Sequence, residues 1–172
     1  MRMEIPEEVL FISSLYKKAG KELYVVGGAV RDHIRGLEPK DYDLATNATP
    51  DETIEILKGH FNMKEVGKAF GVVVAITKDF PDGIEIATFR EDITSGRHPE
   101  VRIGATIEND VKRRDLTINA LFYNIEKEEI IDLVGGLEDI KNGIIRTVGN
   151  PDERFSEDPL RKLRCIRFLS MM

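Results

Sequence analysis

Cysteine, tryptophan and histidine are scarce in this sequence. Its 172 residues include one cysteine, Cys165, no tryptophan and three histidines. A single cysteine cannot form an internal disulfide, and no C-x-x-C pair is present to hold zinc. The histidines, at positions 33, 60 and 98, are scattered, so we expect each of them at the surface. A lone cysteine fits a reducing cytoplasm.

Long hydrophobic runs are also missing. No apolar stretch approaches the ~20 residues that cross a bilayer, and the start "MRMEIPEEVLF" is too acidic for a secretory signal. A content of 41% hydrophobic and 33% charged residues is typical of a soluble globular protein. We therefore expect a cytoplasmic protein without a membrane segment. The net charge of −6 argues against indiscriminate nucleic-acid binding but leaves room for a local basic track.

Helical and strand patterns alternate along the first 150 residues. Apolar spacing predicts a helix before Gly20, a strand over 23–26 and a short helix that ends at Gly36. A second strand is predicted at 42–46, and a helix from a Thr49 cap to Gly59. Further strands are expected within 70–77, 83–89, 128–136 and 144–149, a helix running into a strand within 107–124, and a helix within 137–143. The polar segment 90–106 predicts a mobile loop. Because 70–89 is hairpin-like, we expect an α/β (α+β) fold with a mixed sheet flanked by helices.

A glycine pair separates the first strand from the helix that follows it. Gly27 and Gly28 would let backbone amides approach a phosphate, and a helix N-terminus adds a positive field. A tight turn that needs positive φ explains the same pair without a ligand. The G-x-G-x-x-G and G-x-x-x-x-G-K-[ST] phosphate motifs are both absent. Phosphate binding here would therefore use a different arrangement.

Two aspartates follow one short helix later. In a strand, residues i and i+2 face the same side, so Asp41 and Asp43 should project together. Adjacent carboxylates are costly unless a cation lies between them, and Mg²⁺ uses one or two carboxylates plus substrate phosphates. Glu85, between two isoleucines of a later strand, is a candidate third carboxylate. The alternative is a solvated strand start, with Tyr42 and Leu44 turned to the core.

Four ordered motifs resemble one family. The segments "YVVGGAVRDHIRGLEPKDYDLAT", "RRDLTINAL", "DLVGGLEDI" and "EDPLRKLR" are similar to motifs of the class II tRNA nucleotidyltransferases. These are the CCA-adding enzymes, to which bacterial poly(A) polymerases are close relatives. The resemblance covers roughly 23–169 and implies the nucleotidyltransferase head domain of the DNA polymerase β-like superfamily. It places the catalytic head at 1–150 and the beginning of an all-helical neck at 151–172.

The resemblance also implies roles for particular residues. Asp41 and Asp43 would hold two catalytic Mg²⁺ ions, with Glu85 as the third carboxylate. The other residues implied to bind nucleotide are Gly27, Gly28 and Arg31 on the triphosphate, Arg114 and Asp115 near phosphate and ribose with Asn119 in support, Asp158 and Arg161 on the base, and Arg164 and Arg167 nearby. An RNA 3′-hydroxyl would attack the α-phosphate of CTP or ATP, and pyrophosphate would leave.

Several of these residues have plainer interpretations. Asp158 and Arg161 are neighbours on one helix face, which ordinary helix electrostatics also explains. Arg113 and Arg114 resemble a solvated basic pair, and Asp132 with the following glycine turn is expected to be structural. These alternatives stay open from the residues alone.

The implied activity has three variants. One is addition of CMP and AMP to the 3′ end of tRNA, and another is a poly(A) polymerase or an enzyme that adds only CC or only A. The third is a nucleotide-binding module with little catalysis. The final helix has no stop signal, so we expect the front part of a longer protein whose downstream domains grip the tRNA acceptor stem.

Overall fold

The computed structural model describes residues 3–64, 71–92, 101–104 and 106–149. Its described part alternates helices and strands, as the sequence predicts. The α-helices are α1 (Glu7–Lys18), α2 (Gly28–Ile34), α3 (Pro50–Leu57), α4 (Ile107–Lys112) and α5 (Gly136–Asn142), and a 3-10 turn spans Thr117–Asn119. The strands are β1 (Leu23–Val26), β2 (Asp43–Thr46), β3 (Asn62–Lys64), β4 (Val72–Ile76), β5 (Ile84–Thr88), β6 (Arg90–Asp92), β7 (Val101–Ile103), β8 (Phe122–Asn124) and β9 (Glu129–Ile131).

The main sheet is mixed, which confirms the predicted fold class. Its strand order is β3-β4-β5-β2-β1-β8-β9, and β6 pairs separately with β7. Strand β2 runs parallel to β5, whereas the other neighbouring pairs are antiparallel. The β4–β5 hairpin was expected from the sequence. The parallel β2–β5 pair lies at the centre of the sheet and sets the register of the candidate site.

The two faces of the sheet pack against different parts of the chain. On one face, Leu44 belongs to the larger core cluster, together with Val9 and Ile12 of α1. On the other face, Tyr24 and Phe122 belong to a smaller aromatic cluster that includes Phe89, Ala45 and Val111. This follows from the strand period of two, which sends successive side chains to opposite faces. The second face carries the polar residues discussed below.

Helix α3 begins where the sequence predicts. The Thr49 hydroxyl accepts a hydrogen bond from the Glu52 amide at 3.2 Å, and the Glu52 carboxylate accepts one from the Thr49 amide at 3.0 Å. This reciprocal capping box satisfies two amides that the helix leaves unpaired, and Pro50 is preset for the first turn. The helix ends at Leu57, and Gly59 with φ 81° turns the chain away.

Three parts of the predicted secondary structure were wrong. The predicted loop 90–106 contains β6 and β7 in its described residues. The predicted strand at 144–149 forms only an isolated bridge between Leu116 and Thr147. Strand β3 was not predicted, because its Asn62–Lys64 sequence is short and half-polar and lies at the sheet edge. Short strands with polar residues give too little alternation to detect.

The predicted last helix and the proposed neck at 151–172 lie outside the described residues. Among the residues that the structure describes, no helix has both the length and the apolar character required to span a membrane.

Candidate active site

The candidate site is built on the central parallel pair of strands. Asp43, the first residue of β2, is directly opposite Glu85 of β5 in the sheet register. Both residues are exposed, whereas their neighbours Leu44 and Ile86 are buried in the core. The register therefore places two carboxylates side by side on one face of the sheet. Asp41 precedes the strand and is exposed, although a strand beginning at 42 was predicted.

Asp43 is the carboxylate most affected by its surroundings. It touches solvent on one side, but protein around its other sides strips away water, and this raises its pKa from 3.8 to about 6. Repulsion from Glu85 and, more weakly, from Asp41 acts in the same direction, while Arg114 opposes it. A carboxyl group whose pKa is raised by burial and by neighbouring carboxylates gains from a nearby cation. The electrostatics therefore favour positive charge at this position.

Arg114 lies on the same face of the sheet as Asp43. Its guanidinium carbon is 4.9 Å from the centre of the Phe122 ring, a cation–π arrangement. Its Nη2 is 3.7 Å from the Asp110 carboxylate, and its Nε is buried without a hydrogen-bond partner among the described residues. Burial lowers the pKa of Arg114, and Asp110 opposes that effect. The guanidinium is thus held beside the carboxylates rather than released to solvent.

Asp110 organises both members of the basic pair. It is almost completely buried, and it also accepts a hydrogen bond from Arg113 Nη1 at 3.2 Å. The interpretation of Arg113 and Arg114 as a solvated pair was wrong, since their side chains are only 20% and 16% exposed. Sequence reasoning missed Asp110. The signal was its position three and four residues before the two arginines, on one helix face.

The glycine turn connects β1 to α2 at the same edge of the sheet. Val26, the residue before the turn, is opposite Asp43 in the antiparallel β1–β2 register. Gly27 has φ 71°, a left-handed conformation that favours glycine, and its amide donates to the Leu121 carbonyl at 3.2 Å. The pair thus forms the turn that the plainer interpretation required. The register also places this turn next to the carboxylates.

Arg31 is folded back toward the glycine turn. It is only 8% exposed, and its Nη1 donates to Asn119 Oδ1 at 2.8 Å while its Nε donates to Asp32 at 3.0 Å. A Cβ added at Gly28 would come within 3.4 Å of Arg31 Nη2, so the guanidinium lies against that glycine. The structure therefore brings together Gly27, Gly28, Arg31 and Asn119.

Of the remaining residues predicted to bind nucleotide, only Asp115 lies in the part of the chain that the structure describes. The Asp115 carboxylate accepts a hydrogen bond from the next amide, that of Leu116, at 2.8 Å, and its carbonyl accepts one from Val148 at 3.0 Å. The residues predicted to contact the base and its surroundings, Asp158, Arg161, Arg164 and Arg167, lie outside the described residues.

Asp132 and the glycine turn after it have the structural role expected for them. The carboxylate accepts hydrogen bonds from the amides of Val134, Gly135, Gly136 and Leu137 at 2.8–3.2 Å. These amides include the first ones of α5, which have no partner within the helix. Asp132 therefore fixes the start of α5.

The donor set of the carboxylates fits a hard divalent cation. Oxygen ligands suit Mg²⁺, which needs only one or two carboxylates when phosphates complete its shell. Across 3–64, 71–92, 101–104 and 106–149, no three His, Cys, Asp or Glu side chains converge closely enough to hold a metal ion by themselves. The residues that could hold such an ion are Asp41 and Asp43, with Glu85 opposite Asp43.

Comparison with known proteins decides the family. Residues 23–146 match the poly A polymerase head domain family. The chain belongs to this family. The match includes every described residue of the candidate site, from the glycine turn to Asn119.

Relatives in the family carry two different names. The chain is 45% identical to the CCA-adding enzyme of Ligilactobacillus salivarius over 98% of its length, and 40% identical to poly(A) polymerase I of Salmonella typhi over 99%. It covers 42% and 38% of those two proteins, about two fifths of their length.

A solved structure supports the head-domain fold. The structure of the Bacillus stearothermophilus CCA-adding enzyme in complex with CTP matches 98% of this chain and 40% of its own chain. The TM-score is 0.85 and the identity 40%. The mixed sheet with flanking helices is therefore the nucleotidyltransferase head-domain fold.

Proposed function

We propose that this chain is the catalytic head of a template-independent RNA nucleotidyltransferase that adds CMP and AMP to the 3′ end of tRNA. One observation carries the proposal. The sheet register places Asp43 opposite both Glu85 and Val26, so the carboxylates and the glycine turn share one edge. Carboxylates that could hold a divalent ion, next to a glycine turn, suit the transfer of a nucleoside monophosphate from a triphosphate.

Each part of the site has a role in that reaction. Asp41 and Asp43 would hold Mg²⁺, with Glu85 as the third carboxylate. Bound Mg²⁺ would supply Lewis-acid stabilisation of the charge that develops on the attacking and leaving oxygens. Gly27, Gly28 and Arg31 bind the triphosphate and orient it for in-line attack by the RNA 3′-hydroxyl. Arg114 and Asp115 contact the phosphate and ribose, with Asn119 in support.

Base selection is assigned to the second proposed domain. We propose a head domain over 1–150 and the start of a helical neck over 151–172. Asp158 and Arg161 would read the Watson–Crick edge of the incoming base, and Arg164 and Arg167 would hold the nucleotide nearby. An acid and an arginine together supply the acceptors and donors that cytosine and adenine both need.

The tRNA partner is inferred from the relatives. A similar chain, the Thermotoga maritima CCA-adding enzyme, has been solved as a complex with tRNA_CCA, and this chain covers 38% of it with a TM-score of 0.76. We propose that the acceptor end of tRNA enters this head domain.

A poly(A) polymerase is the second candidate, because four of the similar proteins from Salmonella and Escherichia coli carry that name at 39–40% identity. The test offers CTP and ATP separately with tRNA ending at the discriminator base, in CC or in CCA. CCA addition predicts CMP on the first end, AMP on the second and none on the third.

Other outcomes assign the other candidates. Repeated AMP addition to all three ends indicates a poly(A) polymerase, and incorporation at one end alone indicates a CC-only or A-only enzyme. Magnesium-dependent nucleotide binding without incorporation at any end indicates a nucleotide-binding module and contradicts the proposal for this chain.

A further inference from the structure

We infer that Thr117 and Asp139 are positioning residues for the triphosphate-binding arginine, acting through Asn119. Neither residue has a role in the site as described so far. The inference rests on the proposed function, since it concerns the geometry of Arg31 at the glycine turn. Four contacts support the inference, beginning at Arg31 and ending at α5.

The first contact fixes the guanidinium of Arg31. Asn119 Oδ1 accepts from Nη1 at 2.8 Å, and this hydrogen bond reaches the arginine from outside its own helix. The Asp32 contact comes from the adjacent residue and moves with it. Asn119 therefore helps to set the direction of the guanidinium relative to the rest of the sheet.

The second contact fixes the 3-10 turn that carries Asn119. This turn has three residues, and Thr117 at its start is 2% exposed. The Thr117 hydroxyl donates to Asp139 Oδ2 at 2.6 Å, and the Thr117 amide donates to the Arg146 carbonyl at 2.9 Å. A 3-10 turn this short has little stability of its own. The position of the turn therefore depends on the hydrogen bonds that Thr117 makes.

The third contact holds the partner of Thr117. Asp139 is 4% exposed and lies in α5, where Arg146 Nε is 3.2 Å from its Oδ2. Burying a carboxylate is costly unless hydrogen bonds satisfy it. The Thr117 hydroxyl supplies such a bond. The buried pair therefore ties α5 to the turn more specifically than apolar packing would.

The fourth contact sets the distance between α5 and the turn. A Cβ on Gly136 would collide with the carbonyl oxygen of Thr117, so the two backbones touch there. Asp132 holds the start of α5 through four amides, and α5 therefore presents a fixed surface to the turn. The path of contacts runs from Asp132 through Gly136 and Thr117 to Asn119, and then to Arg31.

The test removes the Thr117 hydroxyl while keeping the side-chain shape. Thr117→Val should raise the KM for nucleotide about tenfold, the loss expected when one hydrogen bond to a charged group is misaligned, with kcat changed less than about twofold. Thr117→Ser keeps the hydroxyl and should restore the wild-type KM. A purely structural role would lower the active fraction of enzyme and leave KM unchanged.

A double variant shows whether the effect passes through Asn119. Asn119→Ala should raise KM by itself, and adding Thr117→Val to it should raise KM little further. If the fold-increase in KM of the double variant equals the product of the two single increases, the inference is overturned. A wild-type KM for Thr117→Val would overturn it as well. If Thr117→Val does not fold, Asp139→Asn, which weakens the same hydrogen bond, replaces it in the cycle. Absence of incorporation by the wild-type chain would instead contradict the proposed function.

Discussion

Asp43 lies where its charge is unfavourable to the metal-free protein. Loss of hydration, repulsion by Glu85 and repulsion by Asp41 together raise its pKa to about 6. A site that stabilised the empty protein would instead carry a lowered carboxyl pKa, as a partnered surface acid does. Strained electrostatics of this kind are frequent where a ligand of opposite charge binds. Stability and function should therefore oppose each other at this residue.

Asp43→Asn should stabilise the protein in EDTA at pH 7. The folded-state pKa of about 6 exceeds the ordinary 3.8, so ionisation costs folding free energy that is absent below pH 4 and complete above pH 6. Solvent on the exposed side reduces this cost to about 1 kcal/mol. Urea unfolding of the variant and the wild type at pH 7 and at pH 3.5 measures this cost.

The control is Asp82→Asn, at an exposed carboxylate in the β4–β5 connection. It should leave the unfolding free energy nearly unchanged at either pH. A variant at Asp43 that is no more stable than wild type at pH 7, or whose gain is the same at pH 3.5, would contradict the assignment of unfavourable charge.

At the scale of elements, the contact between α5 and the 3-10 turn leaves no room for a side chain at Gly136. Gly136 is the first residue of α5, and inside a helix alanine is preferred to glycine by about 1 kcal/mol. The Thr117 carbonyl occupies the space that a Cβ would need, and it is backbone rather than a flexible side chain. Packing should therefore reverse the helix preference.

Gly136→Ala should destabilise the protein by about 2 kcal/mol, the cost of overpacking a well-packed contact. The matched control is Gly135→Ala next to it. Gly135 has φ 84° with open space around its Cβ position, so alanine there costs only about 1 kcal/mol of backbone strain. Urea denaturation ranks the two variants. Equal stabilities, or the opposite order, would show that α5 and the turn are not in contact.

Most elements of the fold follow from local sequence. The boundaries of β1 and the cap of α3 were predicted because apolar runs and capping residues mark them directly. The pairing of β6 with β7 was not predicted, because the charged residues of β6 resemble a loop and their partners in β7 lie about ten positions later in the sequence. The segment 144–149 looked like a strand from its β-branched residues, but the sheet already ends at β9. Tertiary context decided both cases.

At the scale of the whole molecule, the candidate site joins four separate parts of the chain. The carboxylates could be predicted, because the strand period fixes the faces of Asp43 and Glu85. The sequence could not show that β2 and β5 are parallel neighbours, which is what brings the two residues together. Thr117 and Asp139 were missed because their pairing depends on how α5 packs against the 3-10 turn. Asp110 was missed although its partners Arg113 and Arg114 lie only three and four residues later.

The proposed chemistry needs these separated carboxylates to act as one group. Strands β3 and β4 lie between β2 and β5 in the sequence, so residues far apart in the chain become neighbours only when β2 pairs with β5. A nucleotidyltransferase head therefore predicts that loss of one carboxylate removes activity without removing the fold.

The most direct test is magnesium-dependent incorporation of labelled CMP into tRNA that ends at the discriminator base. Wild type is compared with Asp41→Ala, Asp43→Ala and the control Asp82→Ala, each shown to be folded by its thermal transition. The two site variants should lose at least ~100-fold in rate, because several kcal/mol of charge stabilisation disappears, while the control keeps the wild-type rate. Wild-type incorporation by Asp43→Ala, with the same magnesium dependence, would contradict the account.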